Sequence, residues 1–401
     1  MIENLKLILL LVSLTTLLSC DDDKQPEPLG ELLISYEEIA RVHRDEITAN
    51  NFGSDSLVNQ MAEWSTVYKI SYRTESPSGG DIVASGAVVR PDGNKALPLL
   101  SYQHDTFILT SWTPSEFSNR NPGNRLWSGI MLASLGYLVS APDYLGYGAT
   151  RDLIHPYHHA SSLATASYDM ILATQELSEI ASIPIDQKLF LSGFSEGGYA
   201  TIALQKYMEE THPEVTITAS SAGAGAYYLS DAGNSVLSRD EYPIAGFLGL
   251  LFNGYDDVYN LEGDMSRFFQ EPYGSLIDGG LFDGNLAGDQ AEQLLTTDLN
   301  RLLQPKFKSD YLDPSVSLPL RDKLEENDLI YWAPKSRTFL YHGANDAIVD
   351  VSSAQTAYEN FVNNGSKEVE LIVFPNLGHS DAYNPYFQAT IQQFEKILSN
   401  E

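Results

Sequence analysis

From Ala96 onward, short apolar runs alternate with segments of helical periodicity. That alternation predicts an α/β protein with a mostly parallel central sheet flanked by helices. Leu97 to Tyr102, Lys188 to Ser192, Val215 to Ser221, Arg337 to Tyr341 and Val369 to Phe374 read as strands, and Leu132 to Ala141 as a helix end followed by another. The 3.6-residue pattern falls on Ser161 to Leu177, on Tyr199 to Glu210, and on stretches beginning near Ser352 and Pro385. Ahead of this rhythm, residues 31 to about 60 read as helix. Ser65 to Arg73 and Asp81 to Arg90 then read as two strands joined by a hairpin turn at Ser76-Pro77-Ser78-Gly79-Gly80.

Between about Ser230 and Pro334 the rhythm breaks. Gly/Asp-rich turns alternate with scattered aromatics (Phe247, Phe252, Tyr255, Tyr259, Phe268, Phe269 and Tyr273). One amphipathic helix is expected there, with Ala291, Leu294, Leu295, Leu299, Leu302 and Leu303 on one face. More than a hundred residues without structure of their own would be unusual between two core strands. The expected organisation is a core made of residues 31–229 and 334–401, with residues 230–333 inserted as a helical cap or lid whose aromatics line one side of a cleft.

The N-terminus changes the picture of where the protein works. Lys6 precedes an apolar run from Leu7 to Leu18, interrupted by Ser13, Thr15 and Thr16, which reads as a secretory signal over residues 1–19. The run ends Leu17-Leu18-Ser19-Cys20, which resembles the lipobox of bacterial lipoproteins, and Cys20 is the only cysteine of the chain. The resemblance implies lipidation at Cys20 and a membrane held through that anchor. Asp21, Asp22 and Asp23 resemble the acidic tag that directs some Gram-negative lipoproteins to the outer face of the outer membrane, and residues 20–30 read as a polar tether. The chain of 401 residues carries a formal charge of −30, and loss of residues 1–19 removes one Lys and one Glu without changing it. So acidic a body repels nucleic acid and anionic membrane surfaces, which excludes both as charge-driven partners.

Candidate chemistry begins at Gly193-Phe194-Ser195-Glu196-Gly197. It lies between an apolar run (Leu189, Phe190, Leu191) and a helical stretch, the setting of a strand–turn–helix nucleophile elbow. A serine on so sharp a turn needs small neighbours: Gly193 and Gly197 remove side chains that would strike adjacent strands, and Gly198 lets the helix approach the sheet. A serine hydroxyl is a poor nucleophile near neutral pH and needs a base beside it. Asp346 follows the strand ending in His342-Gly343, and His379 lies in the loop Asn376-Leu377-Gly378-His379 after the next strand.

The elbow, the His-Gly-x-x-Asp turn and the late Gly-His, in that order, resemble the α/β-hydrolase superfamily across residues 65–400. Gln103-His104-Asp105-Thr106, Ala141-Pro142-Asp143-Tyr144-Leu145-Gly146 and His155-Pro156-Tyr157 look like its secretory lipase and esterase branch. The resemblance implies a Ser195–His379–Asp346 triad working through an acyl-enzyme. Backbone N–H groups of Glu196 and of Asp105 or Thr106 would bind the oxyanion. The remaining histidines read as structural: His342 orders the acid turn, and His155, His158 and His159 lack a carboxylate at a matching helical spacing for a metal. No cofactor or metal is expected. The leading reading is a serine carboxylic-ester hydrolase acting on small-molecule, lipid or polysaccharide-linked acyl esters outside the cell. The alternatives are a serine exopeptidase of the same fold and a surface-binding lipoprotein without turnover.

Overall fold

The computed structural model describes residues 28–49, 55–261 and 263–400. The leader, Cys20 and the Asp21 to Asp23 run lie outside the described residues. Among the described residues no helix is long and apolar enough to cross a membrane.

The chain opens with β1 (Leu33–His43), α1 (Arg44–Ala49) and α2 (Asp55–Val58), then the hairpin β2 (Trp64–Glu75) and β3 (Asp81–Pro91). The core continues through β4 (Leu97–Gln103), α3 (Trp127–Ser134), β5 (Leu138–Pro142), α4 (Ala160–Ile180), β6 (Ile185–Phe194), α5 (Glu196–Thr211) and β7 (Ala219–Gly223). Seven short helices follow: α6 (Leu229–Leu237), α7 (Gly246–Tyr259), α8 (Tyr273–Asp278), α9 (Gly288–Glu292), α10 (Leu299–Leu302), α11 (Pro305–Leu312) and α12 (Pro319–Glu326). The core resumes with β8 (Arg337–Gly343), α13 (Ser352–Asn363), β9 (Val369–Phe374) and α14 (Tyr383–Asn400).

Nine strands form one sheet in the order β1-β2-β3-β5-β4-β6-β7-β8-β9. From β5 to β9 every neighbouring pair is parallel, and the β1–β2–β3–β5 side is antiparallel. This is the mostly parallel sheet expected from the apolar runs. Its central strands are apolar on both faces because α3 and α14 cover one side and α4 and α5 the other. The strand order reverses at β4, which has β5 on one side and β6 on the other. Such a switch point opens a crevice beyond the C-terminal ends of the strands.

Two elements differ from expectation. Residues 33–43, read as helix, form an edge strand antiparallel to β2. Two register shifts, between Leu33 and Ser35 and between Glu38 and Ala40, break the period-2 alternation that would reveal a strand. Helix-favouring residues such as Glu37, Glu38, Ala40 and Arg41 dominate what remains, and pairing with β2 overrides their propensity. The strand is anchored at its start, where the Glu176 carboxylate accepts from the backbone N–H groups of Glu31 (3.0 Å), Leu32 (3.1 Å) and Leu33 (2.6 Å). The amphipathic helix expected across Ala291 to Leu303 is two separate turns, α9 and α10. Asp298 caps α10 by accepting from the Asn300 N–H at 2.9 Å, and Thr297 turns its carbonyl to the Tyr242 N–H at 2.9 Å. Leu294 is left exposed as a result.

Five buried or half-buried carboxyls are shifted by the fold. Burial pushes Asp143 and Asp328 up to about 6 and Glu292 up to about 7. For Asp346 and Glu196 burial also pushes upward, but hydrogen bonds and charge from neighbouring histidines outweigh it and hold both below their ordinary values. The raised acids bind protons more tightly when folded, so their contribution is full below about pH 4 and lost as pH rises through 6 to 7. The depressed acids contribute above the ordinary carboxylate range and lose that contribution in stronger acid. His158 and His159, which burial lowers to about 4, act in the opposite sense: their contribution is full above the ordinary imidazole range and is lost as pH falls toward 4. The two sets oppose one another between pH 4 and 7, so removing one raised acid should tip the balance. Glu292→Gln is expected to raise stability at pH 8 relative to pH 5, and chemical denaturation of variant and wild type at the two pH values measures this.

Candidate active site

Strand β6 delivers Ser195 to the crevice, and α5 begins at the next residue. Ser195 has φ 58° and ψ −122°, a conformation that costs a non-glycine residue about 1–3 kcal/mol. Its N–H donates to the Gly223 carbonyl at 2.8 Å, and its carbonyl accepts from Tyr199 at 3.1 Å. The turn is as tight as the flanking glycines allow. A Cβ on Gly193 would sit 2.3 Å from the Gly197 carbonyl oxygen, and one on Gly197 would sit 2.1 Å from that of Gln103.

Because β6, β7, β8 and β9 are consecutive and parallel, the loops after them open on the same edge of the sheet. Asp346 comes from the turn after β8 and His379 from the loop after β9. The structure brings both to Ser195: His379 Nε2 is 2.9 Å from Ser195 Oγ, and His379 Nδ1 is 2.6 Å from Asp346 Oδ2. Asp346 Oδ1 accepts from the N–H groups of Ile348 and Val349, both at 2.9 Å. His342 Nε2 lies 2.9 Å from the Val349 carbonyl oxygen and 3.2 Å from Asp346 Oδ2. The carboxylate is thereby kept ionised and fixed. Hydroxyl, imidazole and carboxylate in this line can pass the Oγ proton to His379 and stabilise the imidazolium that results. The Phe194 ring packs beside the imidazole at 5.3 Å between centroids.

Asp105 and Thr106 follow β4, the strand next to β6, and both line the same cavity as Ser195 and His379. The backbone N–H groups of Glu196, Asp105 and Thr106 donate to no other described residue. The Asp105 carboxylate turns to Arg125 Nε at 3.2 Å, and Arg125 lies 4.6 Å above the Trp112 ring. Thr106 Oγ1 is 3.0 Å from the Tyr157 hydroxyl.

Glu196 itself points into the protein. Its side chain is fully buried, with Oε1 2.6 Å from His155 Nε2, and His155 Nδ1 is 2.7 Å from the Leu145 carbonyl oxygen. A carbonyl only accepts, so Nδ1 carries a proton, and a second proton is held between Nε2 and Oε1. The other two histidines have local tasks. The His158 ring stands edge-on to Tyr157 and Tyr199, and His159 caps α4, accepting from the Ser162 N–H; burial lowers both to about 4.

Two cavities meet at Ser195. One, of roughly 370 Å³, has a mixed lining: Asp105, Arg125, Ser128, His379 and Tyr383 on one hand, and Trp127, Phe194, Ile244 and Ile348 on the other. The other, of roughly 80 Å³, is lined mainly by apolar side chains, including Leu229 and Val236 of α6 and Leu248 and Leu251 of α7. Of the inserted segment's seven named aromatics only Phe247 reaches the cleft, where it lines both cavities. Contrary to expectation, Phe252, Phe268 and Phe269 turn away and pack with Phe307, ring centroids 5.1–5.6 Å apart, as the segment's own core, and Tyr255 packs on Tyr259 at 5.5 Å. Sequence reasoning also missed Arg125, Ser128 and Tyr383. Tyr383 stands four residues after His379, as the first residue of α14, which was the available signal. Arg125 and Ser128 lie in a long loop and a buried helix, where no motif or spacing marks them.

The His155–Glu196 pair yields a test. Replacing His155 by alanine leaves a buried carboxylate without its counter-charge and is expected to cost about 3–5 kcal/mol. Adding Glu196→Gln should recover part of that loss. Urea denaturation of the two variants would show both effects, and an unchanged midpoint in His155→Ala would refute the pairing.

Comparison with known proteins bears on the family and the fold. Residues 128–381 match the secretory lipase family. Lipase 5 of Candida albicans is 26% identical over 251 residues, covering 62% of this chain and 52% of that protein. The chain thus spans about half the length of the curated relatives it matches. Among solved structures, a protein from Legionella pneumophila is 27% identical with a TM-score of 0.83, covering 92% of this chain and 98% of that one. The rice cell wall degrading esterase LipA from Xanthomonas oryzae is 26% identical with a TM-score of 0.74, covering 89% and 94%. The fold is that of an α/β hydrolase, and with well over half of its length matched, the chain belongs to the secretory lipase family.

Proposed function

We propose that the protein is a serine carboxylic-ester hydrolase in which Ser195, His379 and Asp346 form the catalytic triad. The observation that carries this is the unbroken line from Ser195 Oγ to His379 (2.9 Å) to Asp346 (2.6 Å) on a strained elbow beside two cavities. Family membership and the likeness to an esterase structure support it. Ser195 Oγ attacks the ester carbonyl as its proton passes to His379, and the tetrahedral oxyanion is met by N–H groups of Glu196 and of Asp105 or Thr106. His379 then protonates the leaving alcohol, and water repeats the sequence to free the acid and restore Ser195. Each oxyanion donor is worth about 3 kcal/mol in such a site. Residues 230–333 act as a cap, with α6 and the start of α7 roofing the cleft and excluding water.

Ser195→Ala and His379→Ala are each expected to lower kcat for ester hydrolysis by about 10⁴–10⁶, and the pair together by little more. Asp346→Asn should cost about 10⁴ by favouring the wrong imidazole tautomer. Steady-state kinetics on a chromogenic ester, with reaction of Ser195 toward a fluorophosphonate as a second readout, decides the matter. Near-wild-type turnover by folded Ser195→Ala would sink the assignment.

The protein is further proposed to work outside the cytoplasm, lipid-anchored at Cys20 and displayed at the outer membrane surface through Asp21 to Asp23. The apolar run ending Leu17-Leu18-Ser19-Cys20 and the secretory character of the family support this. Cys20→Ala should release the protein from the membrane into a soluble extracytoplasmic fraction, and a variant that still sediments with membranes would refute the anchor. Protease added to intact cells should cleave the wild-type chain if it faces outward.

A further inference from the structure

The two cavities at Ser195 differ in size and in lining, and acyl-transfer chemistry says which part of a substrate each receives. The leaving alcohol must take its proton from His379, so it departs on the side where His379 stands. That is the cavity of roughly 370 Å³, which also holds Asp105, Asn124, Arg125, Ser128 and Tyr383. The acyl group stays bonded to Ser195 Oγ and extends the other way, into the apolar cavity of roughly 80 Å³ that His379 does not line.

A closed cavity of about 150 Å³ accepts a benzene ring, so each carbon needs on the order of 25 Å³. By that scale the apolar arm has room for about three carbons beyond the carbonyl, and the polar arm for about fifteen non-hydrogen atoms. The apolar arm opens to solvent at one side, and packed aliphatic side chains form the rest of its wall. Leu229 is 4% exposed, Leu248 6% and Val236 8%, and Ala226 at 7% closes the floor. Arg239 and Asp350 stand at its rim, 3.8 Å apart. A longer chain must displace these side chains, and overfilling a packed apolar site is penalised. On the polar arm the Asp105 carboxylate and Arg125 guanidinium, paired at 3.2 Å, and the mutually hydrogen-bonded hydroxyls of Ser128 and Tyr383 face a bound alcohol, while both ends of the Asn124 carboxamide are taken by backbone groups of Thr113 and Leu126.

Resting on the reading of Ser195 as the nucleophile, we propose that the preferred substrates are esters of short acids, acetyl to butyryl, on bulky polar alcohols. Leu229, Val236 and Leu248 set the acyl limit. The reaction is ordinary hydrolysis: the ester C–O bond breaks, the alcohol leaves with the proton that His379 took from Ser195, and water supplies the oxygen and hydrogen that complete the acid and the enzyme.

The test uses the full chain and 4-nitrophenyl esters from acetate to laurate, read as kcat/KM. The maximum is expected between two and four acyl carbons, with at least a tenfold fall by eight. Leu229→Ala and Leu248→Ala, each of which removes an isopropyl group from the arm, should move the maximum outward by two or three carbons. With the acyl group fixed as acetyl, a mono-acetylated monosaccharide should exceed ethyl acetate at least tenfold in kcat/KM. A wild-type maximum at eight carbons or longer overturns the acyl assignment, as does an unmoved maximum in both folded variants. Equal rates on the two acetates overturn the alcohol assignment. If a variant fails to fold, the wild-type profile decides alone. Absence of Ser195-dependent turnover on every ester would overturn the parent reading instead, so the two failures are told apart.

Discussion

The site depends on one constraint, the left-handed backbone at Ser195. A side chain in that conformation is expelled from the helix and the strand at once, which leaves Oγ at the edge of the sheet with the first N–H groups of α5 around it. The conformation is held because backbone meets backbone with nothing between: Gly193 against Gly197, Gly197 against Gln103, and the Ser195 N–H on the Gly223 carbonyl. These contacts join β4, β6, β7 and α5, so the strain of a single residue is distributed over the centre of the sheet. Everything else in the site is then a matter of reach. His379 and Asp346 need only be on loops that leave parallel strands on the same edge.

That logic explains what the sequence revealed. The three residues that meet at the elbow were legible because they rest on local signals: small residues around Ser195, a turn after one strand, a Gly-His after the next. The parallel strands were legible because burial on both faces makes them continuous apolar runs. The failures share the opposite property. Strand β1 is half exposed and carries two register shifts, so its Glu37, Glu38 and Arg41 spoke for helix while the partner that makes it a strand lies twenty or more residues away in sequence. The Ala291 to Leu303 pattern kept helical spacing through Thr296 and Thr297, but backbone groups near Tyr242 and Asp240 claimed that turn. The roles of Arg125 and Tyr383 are fixed by what faces them across the cleft, which no periodicity records.

The inserted segment illustrates the same division between local and tertiary information. Its aromatic content suggested a lining for the cleft, yet most of the rings pack against one another. Seven helices, none longer than Gly246–Tyr259, have little apolar surface each, and the Phe252, Phe268, Phe269 and Phe307 cluster supplies the common core they lack. The apolar cavity at Ser195 is lined instead by the smaller aliphatic side chains of α6 and α7, Leu229, Val236, Leu248 and Leu251. Segment stability and cleft shape are thereby carried by different residues, and one can change without the other.

The Glu176 clamp at the start of β1 has a mechanical meaning. Three successive N–H groups, from Glu31, Leu32 and Leu33, converge on one carboxylate that belongs to α4. A pull applied through the preceding chain is received first by this charge-assisted knot and handed to a helix of 21 residues lying across the sheet. The outer strand is spared from peeling, and the load bypasses β8 and β9, whose loops hold His379 and Asp346. A pull arriving there would be shared between β1 and α4, and so between the sheet and the helical layer that covers it.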